Sequence, residues 1–245
     1  EISAFNPIEF WIGLMTACSK DDCIDLDLVA IDGEKIKKDN ITTITNKKDA
    51  EKLQKELQEF KEISISSIKT SERKLKPKAP FKTASLQQAA YSTLSFSVKQ
   101  TSAIAQRLYQ GVDLGDGETV GLISYMRTDS TTLSNDSLND ISSFLKKEHP
   151  KFLSEEVRTY SKKVKNSQEA HEAIRPTDVL RSPRSVKKYL SSDQHRLYDL
   201  IWSRALSSQM ESAKFNRNTI VLTSDDSGTI FKASGSVIKF DGFLK

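Results

Sequence analysis

The densest grouping of reactive side chains in this chain lies around Tyr125, in Gly-Leu-Ile-Ser-Tyr-Met-Arg-Thr-Asp-Ser, residues 121–130. A phenol with a pKa of about 10 is a weak nucleophile at neutral pH, so a catalytic tyrosine needs positive charge and hydrogen-bond donors beside it. Arg127 stands two residues on, and in an extended backbone residues i and i+2 point to the same side. Both side chains can then face one phosphodiester. A guanidinium keeps its charge and donates in pairs to phosphate oxygens, while Thr128, Asp129 and Ser130 can fix the local turn or orient a hydroxyl. The chemistry this favours is tyrosine attack on a nucleic acid backbone. A lone tyrosine is more often a packed aromatic; the adjoining Arg-Thr-Asp-Ser reverses that balance.

The elements that must hold this segment follow from periodicity. Between Glu9 and Ile31 the alternation of Ile24, Leu26, Leu28 and Ala30 predicts a hairpin, closed by a turn at Asp32-Gly33. Asn46 or Thr45 caps a helix bearing Ala50, Leu53, Leu57 and Phe60, and Ile63, Ile65 and Ile68 predict a following strand. The stretch to Lys82 holds Pro77 and Pro80 and reads as a crossing between domains. Beyond it the period is helical. Ser85 with Gln88 reads as a capping box for a helix with Leu86, Ala89, Ala90 and Leu94, and a second helix carries Val98, Thr101, Ile104, Ala105 and Leu108. Residues 111–121, with Asp113, Asp116 and Glu118, form a glycine-marked loop or short hairpin. Their carboxylates lack calcium-site spacing, which favours a surface turn. Ser134, flanked by Leu133 and Leu138, caps a helix continuing through Ile141, Phe144 and Leu145. A last helix spans roughly 192–210. Alternation then returns through Ile220, Leu222, Ile230, Val237, Ile238 and Phe240, between turns at 225–228 and Ser234-Gly235. Strands, then helices, then strands predict an α+β fold in which a helical domain is inserted into a β-rich one.

Tyr-Met-Arg-Thr-Asp-Ser at 125–130 resembles the active-site signature of bacterial type IA DNA topoisomerase I. Gln168-Glu169-Ala170-His171-Glu172-Ala173-Ile174-Arg175-Pro176-Thr177 resembles that family's downstream signature. Ala79-Pro80-Phe81 running into Ser85-Leu86-Gln87-Gln88-Ala89-Ala90, Ala105-Gln106-Arg107-Leu108-Tyr109, and the opening Ala4-Phe5 and Glu9-Phe10-Trp11 agree in order, so the likeness spans nearly the whole chain. Met126 favours topoisomerase I over its topoisomerase III relatives, which usually carry proline there. The resemblance implies a β-rich arch, residues 1–75 and 211–245, interrupted by a mostly helical domain, 76–210, that carries the tyrosine and swings to admit DNA.

On the same resemblance, Tyr125 is the nucleophile that forms a 5′-phosphotyrosine link, Arg127 stabilises developing negative charge, and His171 donates to a phosphate oxygen, better when protonated. Without the motif, His171 is equally a helix-surface histidine. Arg127, Thr128, Asp129, His171 and Arg175 form the implied DNA-contacting set, though Arg175 before Pro176 also fits closing a helix end, the reading that the residues alone favour. His149 and His195 receive no role. The implied partners are single-stranded and negatively supercoiled DNA and a TOPRIM domain. That domain's glutamate and Asp-x-Asp cluster would bind Mg2+, and it has no counterpart in these residues. Glu1, in place of methionine inside a family-like motif, reads as the start of an excised fragment, inactive alone and without a metal site of its own.

Composition bounds these readings. Among 245 residues, 37% apolar content suffices for a core in each of two domains, and the net charge of +4 permits a polyanion partner. Between Lys61 and Lys82 seven Lys/Arg face Glu62 and Glu72, a basic concentration that equally fits a solvated linker. No run of eighteen apolar residues and no charged-then-apolar leader occurs, so neither a membrane span nor a signal peptide is supported and the bacterial cytoplasm is the default. Cys18 and Cys23 make neither a zinc quartet nor a disulfide framework and read as small hydrophobes. The competing class is a noncatalytic DNA-binding module that grips phosphates by counterion release. A tyrosine recombinase or rolling-circle nickase fits poorly, since three isolated histidines supply no paired-histidine metal site.

Overall fold

The structure, a computed structural model, describes residues 9–19, 22–36, 44–60, 62–115, 117, 119–160, 172–224 and 228–245. Backbone contacts divide the chain into two units, one of residues 1–73 and 215–239 and one of 74–214 and 240–245. The fold is α+β.

The first unit is built on an antiparallel sheet. β1 (Leu14–Ser19) pairs with β2 (Asp22–Ile31), which also pairs with the short β3 (Glu34–Lys35) and with β8 (Ile230–Phe240). The order continues through β7 (Ala213–Ser224) to β4 (Ile63–Leu75). Leu26 and Leu28 alternate inward from β2 and meet Leu222, Phe231 and Ala233, as the two-residue period of a half-buried strand requires. Helix α1 (Lys47–Gln58) is capped by Asn46, whose side-chain Oδ1 accepts from the Asp49 amide at 2.9 Å, and Leu53 and Leu57 close over this core.

Three sequence expectations change here. Cys18 and Cys23 stand opposite each other across the β1/β2 hairpin and are joined by a disulfide. Both occupy exposed positions, so they are not core hydrophobes; direct cross-strand neighbours bring Cβ atoms within bonding reach. The basic stretch expected to be a crossing is strand through Leu75, because β7 offers a ladder that outweighs its charged composition and an edge strand tolerates lysines. Ser234-Gly235 is not a turn; both residues lie inside β8. Residues 225–227 of the other expected turn lie outside the described residues.

The second unit is mostly helical. α2 (Thr83–Leu94), α3 (Val98–Gln110) and α6 (Ser192–Ser208) pack together over Phe81, Leu86, Leu108, Leu197, Tyr198 and Ile201. A second core joins α4 (Asn135–Glu148) to α6 through Ile141, Leu145, Ala205 and Leu206. Ser97, Ser134 and Ser191 cap α3, α4 and α6 by accepting from the amide three residues on. The box expected at Ser85 and Gln88 forms one turn earlier: Lys82 is the cap, and the Ser85 hydroxyl accepts from its amide at 3.0 Å. The short helix α5 (Pro183–Val186) supports α6. Among the described residues no helix is long and apolar enough to cross a membrane.

Candidate active site

The nucleophile candidate sits on a non-helical segment pinned from two directions. β5 (Val112–Asp113) and β6 (Thr119–Val120) form a short hairpin after α3 and deliver the chain to Gly121. The Leu122 amide then donates to the Leu108 carbonyl at 2.8 Å, and a Cβ on Gly121 would lie 2.7 Å from the Tyr109 carbonyl oxygen. Only glycine permits that approach, because the obstacle is backbone and cannot rotate away.

From the other side residues 172–177 run along this segment. The Ser124 amide donates to the Arg175 carbonyl at 2.9 Å, and its hydroxyl donates to the Ala173 carbonyl at 2.7 Å while accepting from the Arg175 amide at 3.0 Å. The Thr177 amide donates to Leu122 at 3.0 Å, and its hydroxyl donates to Gly121 at 2.6 Å. The Ile174 amide reaches Phe81 at 2.7 Å and that of Ala173 reaches Thr132 at 2.8 Å. Two motifs some fifty residues apart are therefore one hydrogen-bonded layer.

Thr83, at the start of α2, holds the far side of the tyrosine. Its hydroxyl donates to the Met126 carbonyl at 2.7 Å and accepts from the Thr128 amide at 2.9 Å. Met126 is buried, so its neighbours Tyr125 and Arg127 are turned outward, and both are exposed. This alternation is what an extended segment requires. The Tyr125 ring meets the Tyr109 ring edge-on, centroids 5.3 Å apart. Neither the Tyr125 hydroxyl nor the Arg127 guanidinium has a hydrogen-bond or ion-pair partner among the described residues. Tyr198 is the contrast: it is fully buried, donates to the Arg181 carbonyl at 2.6 Å, and burial pushes its phenol well above the ordinary value.

The remaining site residues divide by what they touch. Thr128 accepts from the Ser130 amide at 3.0 Å and Ser130 from the Thr132 amide at 3.1 Å, so both side chains fix the turn after the tyrosine. Asp129 is exposed beside them. Arg175 donates to the Glu172 carboxylate at 2.7 and 3.1 Å and to the Pro176 carbonyl at 2.9 Å, and so is engaged within the chain. Glu172 also accepts from the Ser134 amide at 2.8 Å. Burial alone would raise its carboxyl, yet the Ser134 and Arg175 interactions outweigh that and hold it below the usual value. His171 lies outside the described residues, as do Asp116 and Glu118 of the glycine-marked loop. His149 ends α4, and a His195 ring nitrogen lies 3.0 Å from the Pro183 carbonyl.

Thr83, Ser124, Glu172 and Tyr109 were not foreseen as positioning groups. Glu172 stood within a quoted motif and Tyr109 within another, but nothing local connects Thr83 to residues 126 and 128. Among the described residues no three His, Cys, Asp or Glu side chains form a metal-holding group. The described residues do not fit a magnesium site.

The DNA topoisomerase family model matches residues 1–245. The chain belongs to the bacterial type IA DNA topoisomerase I family. DNA topoisomerase 1 of Rickettsia felis is 42% identical over 247 residues, covering 100% of this chain and 31% of that relative. DNA topoisomerase 1 of Campylobacter jejuni is 40% identical over 246 residues, covering 100% of this chain and 34% of the relative. The full-length topoisomerase I structure from Thermotoga maritima superposes with a TM-score of 0.70 at 36% identity, over 90% of this chain and 33% of that one. The chain thus spans about a third of the length of the topoisomerases it matches.

Proposed function

We propose that Tyr125 is the nucleophile of a type IA topoisomerase that relaxes negatively supercoiled DNA without ATP. Its phenolic oxygen attacks the scissile phosphorus, a Tyr125–phosphorus bond forms to the 5′ end, and the bond to the 3′ oxygen breaks. The phenol proton is balanced by the proton gained on the 3′-hydroxyl, and religation is the same transesterification reversed. No bond energy is lost, so the chemistry consumes no cofactor.

The observation that carries this reading is the paired outward display of Tyr125 and Arg127 beside buried Met126, on a backbone held by Thr83 and Ser124. A guanidinium with no hydrogen-bond or ion-pair partner among the described residues is available to the charge that develops on the phosphate, an effect worth about 3–4 kcal/mol per donor in other enzymes. His171 acts as a further phosphate donor, and Thr128, Asp129 and Arg175 line the strand or hold the turn beneath it. Residues 76–210 form a helical domain, set between arch segments 1–75 and 211–245, that swings to pass a strand. Magnesium belongs to an acidic cluster outside this chain. For that reason the chain alone does not relax supercoils.

Tyr125→Phe in the complete protein tests the assignment. Covalent DNA capture under denaturing conditions disappears while binding of single-stranded DNA persists. Covalent capture that survives the substitution overturns it, and binding with no capture by the parent protein leaves a noncatalytic DNA-binding module.

A further inference from the structure

A cavity of about 390 Å³ lies between α1 and the sheet of the first unit, and a polar groove surrounds Arg158 and Glu211 in the second. The first is apolar with nothing to define an occupant, and the second is closed by its own ion pair. The space beside Arg127 differs, because its chemistry specifies a ligand.

This cavity, of about 310 Å³, opens between α2 and α3 directly beside the tyrosine segment. Its floor is Leu86, Ala105 and Met126, all buried, with Thr101, whose hydroxyl is spent on the Ser97 carbonyl at 2.9 Å. Its rim is Gln87, Ser102 and Gln106, with Arg127 at the mouth. The volume is at the small end of the roughly 300–1,000 Å³ usual for ligand sites, and the pattern of apolar floor with a few convergent polar groups is theirs too.

The rim groups are neutral amides and a hydroxyl. The Gln106 amide has no hydrogen-bond partner among the described residues, and Gln87 reaches only Ser102, at 3.3 Å. Neutral donors and acceptors above an apolar floor suit a flat heteroaromatic edge, not a phosphate. The cation of the slot's lining is Arg127, at the mouth, which also lines a second open cavity with Lys82, Thr128 and Asp129. Arg127 therefore borders both the neutral slot and this second cavity, an arrangement that places a phosphate at the guanidinium and its base in the slot.

The geometry points to this α2/α3 slot as a binding site for one unstacked nucleobase of the strand being cut, the nucleotide next to the phosphate held by Arg127. The inference rests on the reading of Tyr125 as the nucleophile and adds the source of cleavage-site preference. The bound base, read on its edge by Gln87 and Gln106, fixes which phosphodiester lies before Tyr125. Amides can discriminate between bases by their donor and acceptor order.

The test uses the complete protein and single-stranded oligonucleotides in which one nucleotide at a time is abasic, with covalent Tyr125 complex as the readout. In the unsubstituted protein, removal of the base at one position near the cut lowers covalent capture about tenfold, the loss expected for one stacked, hydrogen-bonded base. In Gln106→Ala and in Ser102→Trp, which closes the exposed mouth, that positional penalty falls to twofold or less and the base distribution at cut sites flattens. Ser102 is exposed and Gln106 sits on a helix surface, so both variants fold, which circular dichroism verifies. A penalty that stays tenfold in both variants overturns the slot while leaving Tyr125 in place. Failure of the unsubstituted protein to form any Tyr125 complex removes the functional reading and the slot together.

Discussion

Glu172 ties the downstream signature segment to the start of α4 through one carboxylate, which accepts from the Ser134 amide and from Arg175. Its folded-state pKa is held below the ordinary value near 4.5. A depressed carboxyl contributes stability that is fully present above the unfolded value and lost as pH falls through the folded one. Glu172→Gln should therefore cost about 1–2 kcal/mol at pH 7, a modest figure because the pair is partly solvated, and the difference from the parent should shrink below about pH 4. Urea unfolding at pH 7, 5 and 3.5 measures it; a cost independent of pH would show that the carboxylate charge is not what holds the segments. Tyr109 offers a second residue-level test, since its ring positions Tyr125 edge-on. That contact uses the ring and not the hydroxyl, so Tyr109→Phe keeps the rate of covalent capture. Tyr109→Ala slows it, by about three- to tenfold if the pair is worth the usual 0.5–1.5 kcal/mol, with the affinity for single-stranded DNA unaltered. An equal loss in both variants would assign the hydroxyl, not the ring.

At the level of elements, the outcome depends on how local the determinants are. Helices α3, α4 and α6 were legible because their signals are local: a serine hydroxyl reaches an amide three residues on, and apolar residues recur at helical spacing. β4 was legible at its start, through Ile63, Ile65 and Ile68, but its run to Leu75 and the interior of β8 were not, because the lysines and Ser234-Gly235 carry linker- and turn-like composition while partners that hold β4 lie more than a hundred residues away. The hydrogen-bonded layer under Tyr125 was invisible for the same reason. It is made from 81–83, 121–134 and 172–177, joined by single bridges such as Phe81 to Ile174 and Ile123 to Pro176, which have no period to read. The motifs named residues that lie along this layer and could not say which of them touch. Gly121 carries the tightest of these junctions. Gly121→Ala would set a Cβ 2.7 Å from the Tyr109 carbonyl oxygen, separating α3 from the tyrosine segment. The expected cost is about 1–3 kcal/mol, with weakened protection of the Leu122 amide in hydrogen exchange. An unchanged Leu122 protection factor would mean that the junction absorbs a methyl group.

At the scale of the whole molecule, two units with separate cores imply separate responses to stress. The helical unit buries Phe81, Tyr198, Leu197 and Ile201 completely, whereas the sheet unit rests on the smaller cluster of Leu26, Leu28, Leu222, Phe231 and Ala233. It adds a covalent bond, Cys18 to Cys23, where the sequence alone suggested only packing. Both cysteines occupy exposed positions, where a reductant is expected to reach the bond in the folded state. The closed loop is short, which limits the chain-entropy contribution of the bond to about 2 kcal/mol. That contribution acts on the sheet unit alone. Hydrogen exchange with and without a phosphine reductant should show faster exchange in β1 and β2 after reduction, while amides of α3 and α6 keep their rates, since subglobal openings draw only on the contacts of the element that opens. Acceleration of α6 on reduction would mean that the two units open as one cooperative body, and the tyrosine segment would then inherit the stability of the hairpin disulfide.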